Sequence, residues 1–119
     1  MFNINDSDYN AVLALQKVLD TKFAQDVILL DLRELTPVAD YFVIATGTST
    51  PQLAALSDAA EEVLIAHGLK LGHREGVNSS SWTLLDFGSV VVHIFDKVSR
   101  EYYNLERTWA DAKIITPTT

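Results

Sequence analysis

The sequence has 119 residues, close to the commonest size of a single domain, and it contains no cysteine. The missing thiols exclude disulfides, thiolate metal sites and cysteine nucleophiles. Sixteen Asp and Glu against nine Lys and Arg leave a net charge of −7, the wrong sign for a protein that grips a nucleic-acid backbone. We therefore expect one domain over 1–119, no direct DNA binding and little contact with RNA.

The first half of the chain predicts two helices and two strands. Apolar residues recur at helical spacing behind Asp6 and Ser7, which can cap a helix. Two short β-rich runs follow, and Thr50-Pro51 is typical of a helix start. The expected elements are a helix over 8–23, interior strands over 26–32 and 40–47, and a helix over 51–67.

The second half predicts three strands and a last helix. Gly88 can supply the positive φ of a hairpin turn, and Asp96 can cap the helix that follows. The expected elements are a strand over 70–75, a polar loop over 76–81, hairpin strands over 82–86 and 90–95, a helix over 96–107 and a frayed tail over 113–119. This order predicts an α/β (α+β) fold, a mixed sheet of about five strands with flanking helices. A right-handed crossover is expected from 40–47 to 70–75.

Two short motifs resemble catalytic signatures. Gly47-Thr48-Ser49 lies between a strand and a helix, where a phosphate-binding turn would lie, but it has one glycine and no following lysine. Asp86-Phe87-Gly88 matches the metal-binding tripeptide of kinases without the rest of that signature. An ordinary strand-to-helix turn and a hairpin turn explain them better.

The other common catalytic sets are missing. His67, His73 and His93 are the only imidazoles and show no HExxH spacing; His93 suits a core or sheet-face position and His67 a helix end. The serines at 79–81 lack the GxSxG context of a nucleophile, and no strand carries Asp-x-Asp. We expect no catalytic residue, no metal and no cofactor.

The strand over 82–86 carries the best candidate for a binding surface. Alternation places Trp82, Leu84 and Asp86 on one face of the sheet. Tryptophan is frequent among the side chains that dominate interfaces, and Glu75 and Asp86 beside it would suit a basic partner. The alternative, that Trp82 packs under the last helix, stays open. The spacing of Trp109 after Leu105 favours packing for that tryptophan.

The sequence resembles the ribosomal silencing factor, or Iojap-like, family over 26–112. The matching segments are ADYFVI at 39–44, GTS at 47–49, EG at 75–76, Trp82, LLDFG at 84–88, VVVHIF at 90–95, REYY at 100–103, LE at 105–106 and WADA at 109–112. They occur in order and at the family's spacing. Two positions depart from the family pattern. Relatives often have an acidic residue at the position of Ser89, and a more basic loop in place of 77–81.

The resemblance implies a domain related to the nucleotidyltransferase fold, without that fold's metal-binding carboxylates. It implies binding to the large ribosomal subunit through its fourteenth protein, with little direct contact to ribosomal RNA. Subunit joining would then be blocked and translation lowered when nutrients are short. The partner-binding residue carried over from the family is Trp82, with Leu84, Asp86 and Glu75 around it.

The leading hypothesis is therefore a non-enzymatic repressor of translation. One alternative is a nucleotide-binding module or nucleotidyltransferase-like enzyme using Gly47-Thr48-Ser49 with Asp40 or Asp86. Another is a self-associating scaffold, a possible homodimer formed by pairing of the strand over 82–86. The apolar stretches are too short for a bilayer and the start is acidic, so we expect no membrane anchor, no export signal and a cytoplasmic location.

Overall fold

The computed structural model describes residues 7–76 and 81–115. The helices are α1 (Ser7–Thr21), α2 (Thr50–Ala66), α3 (Lys97–Tyr103) and α4 (Leu105–Thr108). The strands are β1 (Gln25–Asp31), β2 (Tyr41–Thr46), β3 (His73–Glu75), β4 (Trp82–Asp86), β5 (Val90–Phe95) and β6 (Lys113–Ile114). Each expected helix and strand is present, with its ends shifted by a few residues.

The strands form one mixed sheet in the order β3-β4-β5-β2-β1-β6. Strands β2 and β5 are parallel, and the other neighbours are antiparallel. The expected α+β fold is confirmed, with six strands instead of about five. The expected crossover from β2 through α2 does reach a strand of the same direction, β3, but β5 and β4 lie between them.

One face of the sheet is covered by α1 and α2. Alternate residues of the central strands, such as Val43 and Val92, are fully buried on this face. They meet Leu15 of α1 and Leu56 of α2, which are also fully buried. The mainly apolar sequences of β2 and β5 follow from burial on both faces of the sheet, with Thr46 and His93 as buried polar exceptions.

The last helix is shorter than expected because it is interrupted at Asn104. Asn104 adopts the left-handed conformation at φ 44° and ends α3, its N–H donating to the Arg100 carbonyl. Asparagine tolerates this conformation better than most residues. The Asp96 cap is confirmed, since its carboxylate accepts from the Ser99 N–H at 2.7 Å.

The expectation of a frayed tail over 113–119 is wrong for its first residues. Lys113 and Ile114 pair with Asp31 and Leu30 as the edge strand β6. The Ile115 N–H then donates to the Leu29 carbonyl at 2.9 Å. A strand of two residues is too short to show the alternation of polar and apolar residues that predicts a strand. Residues 116–119 and residues 77–80 of the expected polar loop lie outside the described part of the chain.

Candidate partner-binding face

The four predicted binding residues lie on the sheet face opposite α1 and α2. Strand β4 is paired on both sides, and its register aligns Glu75 with Leu84, and Leu84 with His93. Trp82 and Leu84 are half-buried against the apolar cluster of this face, while Thr83 and Leu85 are buried towards the helices. We call the surface formed by Trp82, Leu84, Asp86 and Glu75 the β4 face.

The two paired sides of β4 also decide one alternative. A strand that already bonds to β3 and β5 has no free edge for its own copy. The alternative of a homodimer formed by pairing of 82–86 does not fit this sheet, in which β3 and β6 are the edge strands among the described residues.

Gly76 and Arg74 fix the chain around Trp82. Gly76 has φ 77°, and a side-chain carbon added there would collide with the Trp82 carbonyl oxygen. Arg74 points the other way and bonds to Glu61 at 2.9 Å and Asp58 at 3.4 Å on α2. The edge strand β3 is thereby attached to α2, which leaves Glu75 exposed on the β4 face.

A groove lies beside Trp82 where α3 and α4 meet the sheet. It has a volume of about 190 Å³ and is lined by Trp82, His93, Phe95, Tyr103 and Leu105. Tyr103 is 53% exposed, whereas Phe95 is 2% exposed and forms part of the floor. Trp82 therefore borders an open groove together with side chains of α3 and α4, and these helices do not cover it completely.

The aromatic rings of this face form a continuous series. The Phe42 and His93 centroids are 4.8 Å apart edge to face, and His93 and Phe95 are stacked at 6.0 Å. Tyr103 stacks on Phe95 at 5.7 Å. Trp109 meets Phe42 edge to face at 5.7 Å, so the expectation that Trp109 packs is confirmed.

His93 is the polar member of the groove. It is 8% exposed, which confirms the sheet-face interpretation, and neither ring nitrogen has a hydrogen-bond partner among the described residues. Burial lowers the pKa of His93 to about 4, and the charge of Asp86 opposes this only in part. The ring is therefore neutral at pH 7, with one nitrogen as donor and the other as acceptor.

The acidic residues of the β4 face differ in their roles. The Asp86 carboxylate accepts from the Gly88 N–H at 2.8 Å, so it stabilises the hairpin turn as well as carrying charge. Gly88 has φ 80°, which confirms the turn interpretation of the Asp86-Phe87-Gly88 triplet. Glu75 pairs with the exposed His73 at 3.3 Å.

Four of the groove residues were not among the binding residues predicted from the sequence. His93, Phe95, Tyr103 and Leu105 come from β5, α3 and α4. The hairpin register could have placed the first two, because a two-residue Gly88-Ser89 loop puts Phe95 opposite Trp82 and His93 opposite Leu84. No local pattern places Tyr103 and Leu105 beside Trp82.

The Gly47-Thr48-Ser49 turn is held by hydrogen bonds within the chain. The Ser49 hydroxyl caps α2 by accepting from the Gln52 N–H at 3.2 Å. The Thr48 N–H donates to the Gln52 side-chain oxygen, which also accepts from the Thr48 hydroxyl at 2.9 Å. Groups that a phosphate would need are thus already bonded, as an ordinary strand-to-helix turn requires.

The remaining two histidines lie on different elements. His67 caps the end of α2, with its Nδ1 3.0 Å from the Val63 carbonyl oxygen, while His73 lies on the edge strand β3. Within residues 7–76 and 81–115, no three His, Asp or Glu side chains are grouped as a metal site. No helix among these residues is long and apolar enough to cross a membrane.

A second, polar cavity lies at the other end of α3. It has a volume of about 550 Å³, and its lining includes Asp26, Thr46, Lys97 and Arg100. Arg100 is 8% exposed and donates to the Thr46 hydroxyl at 2.8 Å and to the Glu106 carboxylate at 3.2 Å. These bonds attach α3 and α4 to β2, and so hold Tyr103 and Leu105 in place.

The fold and the β4 face define a small α+β domain with one sheet face only partly covered by helices. A family model described as ribosomal silencing factor during starvation matches residues 5–119, a longer stretch than the 26–112 that carries the recognised motifs. The chain belongs to the ribosomal silencing factor family.

Individual relatives agree with the family match. The ribosomal silencing factor RsfS of Bacillus subtilis is 40% identical over 95 residues, covering 80% of each chain. The chloroplastic protein Iojap of Arabidopsis thaliana is 36% identical over 98 residues, 82% of this chain and 41% of that protein. The relatives thus include both bacterial and chloroplastic proteins.

Solved structures share the fold. A crystal structure of a protein from Chromobacterium violaceum has a TM-score of 0.76 and 31% identity, and covers 98% of this chain and 92% of that one. One from Bacillus halodurans has a TM-score of 0.75 and 32% identity, with 91% and 99% covered. As a member of this family, the protein is a non-enzymatic ribosomal silencing factor that acts during starvation.

Proposed function

We propose that the protein binds the large ribosomal subunit through its fourteenth protein and thereby blocks association with the small subunit, which reduces translation when nutrients are limited. The observation that carries the proposal is the position of Trp82. This large side chain is half-buried on the sheet face that α1 and α2 leave free, at the border of an open groove. Partly exposed aromatic side chains beside a pocket are typical of the residues that dominate binding energy.

The charge of the protein supports a basic protein partner. Glu75 is exposed and Asp86 half-exposed on the β4 face, and the whole chain carries a net charge of −7. Such a surface attracts a basic protein and repels RNA phosphates, so it favours a ribosomal protein over the surrounding RNA. This steering weakens as the salt concentration rises.

The size of the domain supports a steric mechanism. Its dimensions are 41 × 30 × 30 Å. A folded body of this size attached to the joining face of one subunit occupies space that the other subunit needs. Silencing in this way requires tight binding at one place and no chemical step.

The first experiment compares Trp82→Glu with wild type for cosedimentation with purified large subunits. Ile65→Glu is the matched control, since Ile65 is 50% exposed on α2, on the opposite side of the sheet, and gains the same charge. We expect Trp82→Glu to lose binding and Ile65→Glu to retain it. Equal binding by wild type and Trp82→Glu would remove Trp82 from the interface.

A joining assay then tests the steric step. Large subunits saturated with wild-type protein should form fewer complete ribosomes with small subunits, as measured by light scattering or gradient sedimentation. Trp82→Glu should leave joining unaffected and Ile65→Glu should block it. Normal joining by large subunits that carry the bound wild-type protein would contradict the proposed mechanism.

A further inference from the structure

His93 is unusual among the buried polar residues described. It lies in the floor of an apolar groove, between the rings of Phe42 and Phe95, at centroid distances of 4.8 Å and 6.0 Å. Its two ring nitrogens are buried and have no hydrogen-bond partner within residues 7–76 and 81–115. Buried side-chain nitrogens in native proteins are nearly always bonded, and each exception calls for an explanation.

The free protein gains nothing from this arrangement. Burying a polar group without a partner costs about 1–3 kcal/mol, and a phenylalanine, whose ring is somewhat larger, would avoid this cost. Other buried polar side chains of the sheet are bonded, as Thr46 is to Arg100 at 2.8 Å. The cost at His93 therefore has no return within the part of the chain that the structure describes.

We propose that His93 supplies a hydrogen bond to the ribosomal partner, and that an uncharged hydroxyl or amide group on an apolar stem enters the groove to take it. The inference rests on the proposed function and names the chemistry of the group that the β4 face receives. The groove volume of about 190 Å³ suits a single side chain.

The surroundings of His93 favour an uncharged group over a charged one. Burial lowers the pKa of His93 to about 4, so the ring is neutral at pH 7 and does not attract a carboxylate by charge. The walls of the groove are the side chains of Trp82, Phe95, Tyr103 and Leu105, which would leave an entering ammonium group poorly solvated. A neutral imidazole offers a hydroxyl or amide both a donor and an acceptor.

Access to the nitrogens requires one lining side chain to move. Tyr103 is the most exposed of the lining side chains, at 53%, so its ring can shift and then pack against the entering group. Phe95, which is 2% exposed, stays in the floor of the groove.

The test replaces His93 by phenylalanine, which keeps a ring and removes both nitrogens. We expect thermal stability equal to or above that of wild type, together with about tenfold weaker binding to the isolated fourteenth ribosomal protein, the usual effect of losing a buried hydrogen bond. His67→Phe is the matched control, because His67 lies at the end of α2. This control should bind as wild type does.

Wild-type affinity in a folded His93→Phe protein would overturn the inference while leaving the proposed function intact. Should this variant fail to fold, nitrogen NMR of the histidine rings in the wild-type protein decides. A change of the His93 ring signals on adding the ribosomal protein supports the bond, and unchanged signals overturn it. Failure of wild type itself to bind large subunits overturns both proposals, a result distinct from the others.

Discussion

The two faces of the sheet are both apolar, but they are covered in different ways. Long helices cover one face completely, so that Leu15, Leu56 and the strand residues beneath them are inaccessible to solvent. The other face is covered by the short α3 and α4, which leave Trp82 and Leu84 half-buried and a groove open. Apolar burial on the first face supplies stability, whereas apolar surface left on the second is available to a partner.

Truncating a buried side chain on the face covered by α1 and α2 tests whether stability and binding depend on different faces. Leu56→Ala leaves a cavity between α2 and the sheet and should lower the free energy of unfolding by about 3 kcal/mol. Binding to large subunits should be unchanged once corrected for the folded fraction. Urea unfolding and cosedimentation measure the two quantities. Weaker binding by the fully folded variant would mean that the faces are coupled.

Arg100 tests how α3 and α4 are held on the groove face. Arg100→Leu removes the bonds to Thr46 and Glu106 and leaves a buried hydroxyl unpaired, so we expect a loss of about 2 kcal/mol of stability. Because these bonds position Tyr103 and Leu105, binding should weaken too. Lys97→Leu, on an exposed position of α3, is the control and should change neither. Unchanged binding by folded Arg100→Leu would contradict the positioning role.

The groove face should also respond to acid. The folded state lowers the pKa of His93 from 6.5 to about 4, so between these values the unfolded chain binds a proton that the folded protein does not. Stability is then complete above pH 6.5 and falls as the pH decreases towards 4, by about 2 kcal/mol at pH 5. The free energies of unfolding of wild type and His93→Phe, compared at pH 5 and above pH 6.5, measure this contribution. An equal loss of stability in the variant would assign the pH dependence to other groups.

The sequence predicts the covered face more completely than the groove face. Helical periodicity, the Thr50-Pro51 helix start and the β-rich sequences of β2 and β5 are local signals, and each element they indicate is present. The cap of α2 is Ser49, one residue before the expected Thr50. The hairpin is equally local, because Gly88 is required in its two-residue loop. Alternation alone correctly groups Trp82, Leu84 and Asp86 on one face of the sheet, but it does not say which face the helices cover.

The groove could not be predicted because it depends on contacts between distant parts of the chain. Asn104 breaks the last helix, and this bend brings Tyr103 and Leu105 to Trp82. The break rests on one tolerated left-handed residue, which leaves no pattern in the sequence. Strand β6 is missed for a similar reason, since two exposed residues pair with β1 only because the chain returns to it.

The smallest effect on stability is expected for two neighbouring tyrosines, which also test where the binding surface ends on α3. Tyr102 and Tyr103 are 80% and 53% exposed, and their rings meet edge to face at 5.1 Å. Replacing either by serine should change the free energy of unfolding by less than about 1 kcal/mol, because surface substitutions rarely cost more. Only Tyr103 lines the groove, so only Tyr103→Ser should weaken binding to large subunits. Equal losses of affinity in the two variants would extend the binding surface over the outer side of α3, and equal retention would exclude the groove from it.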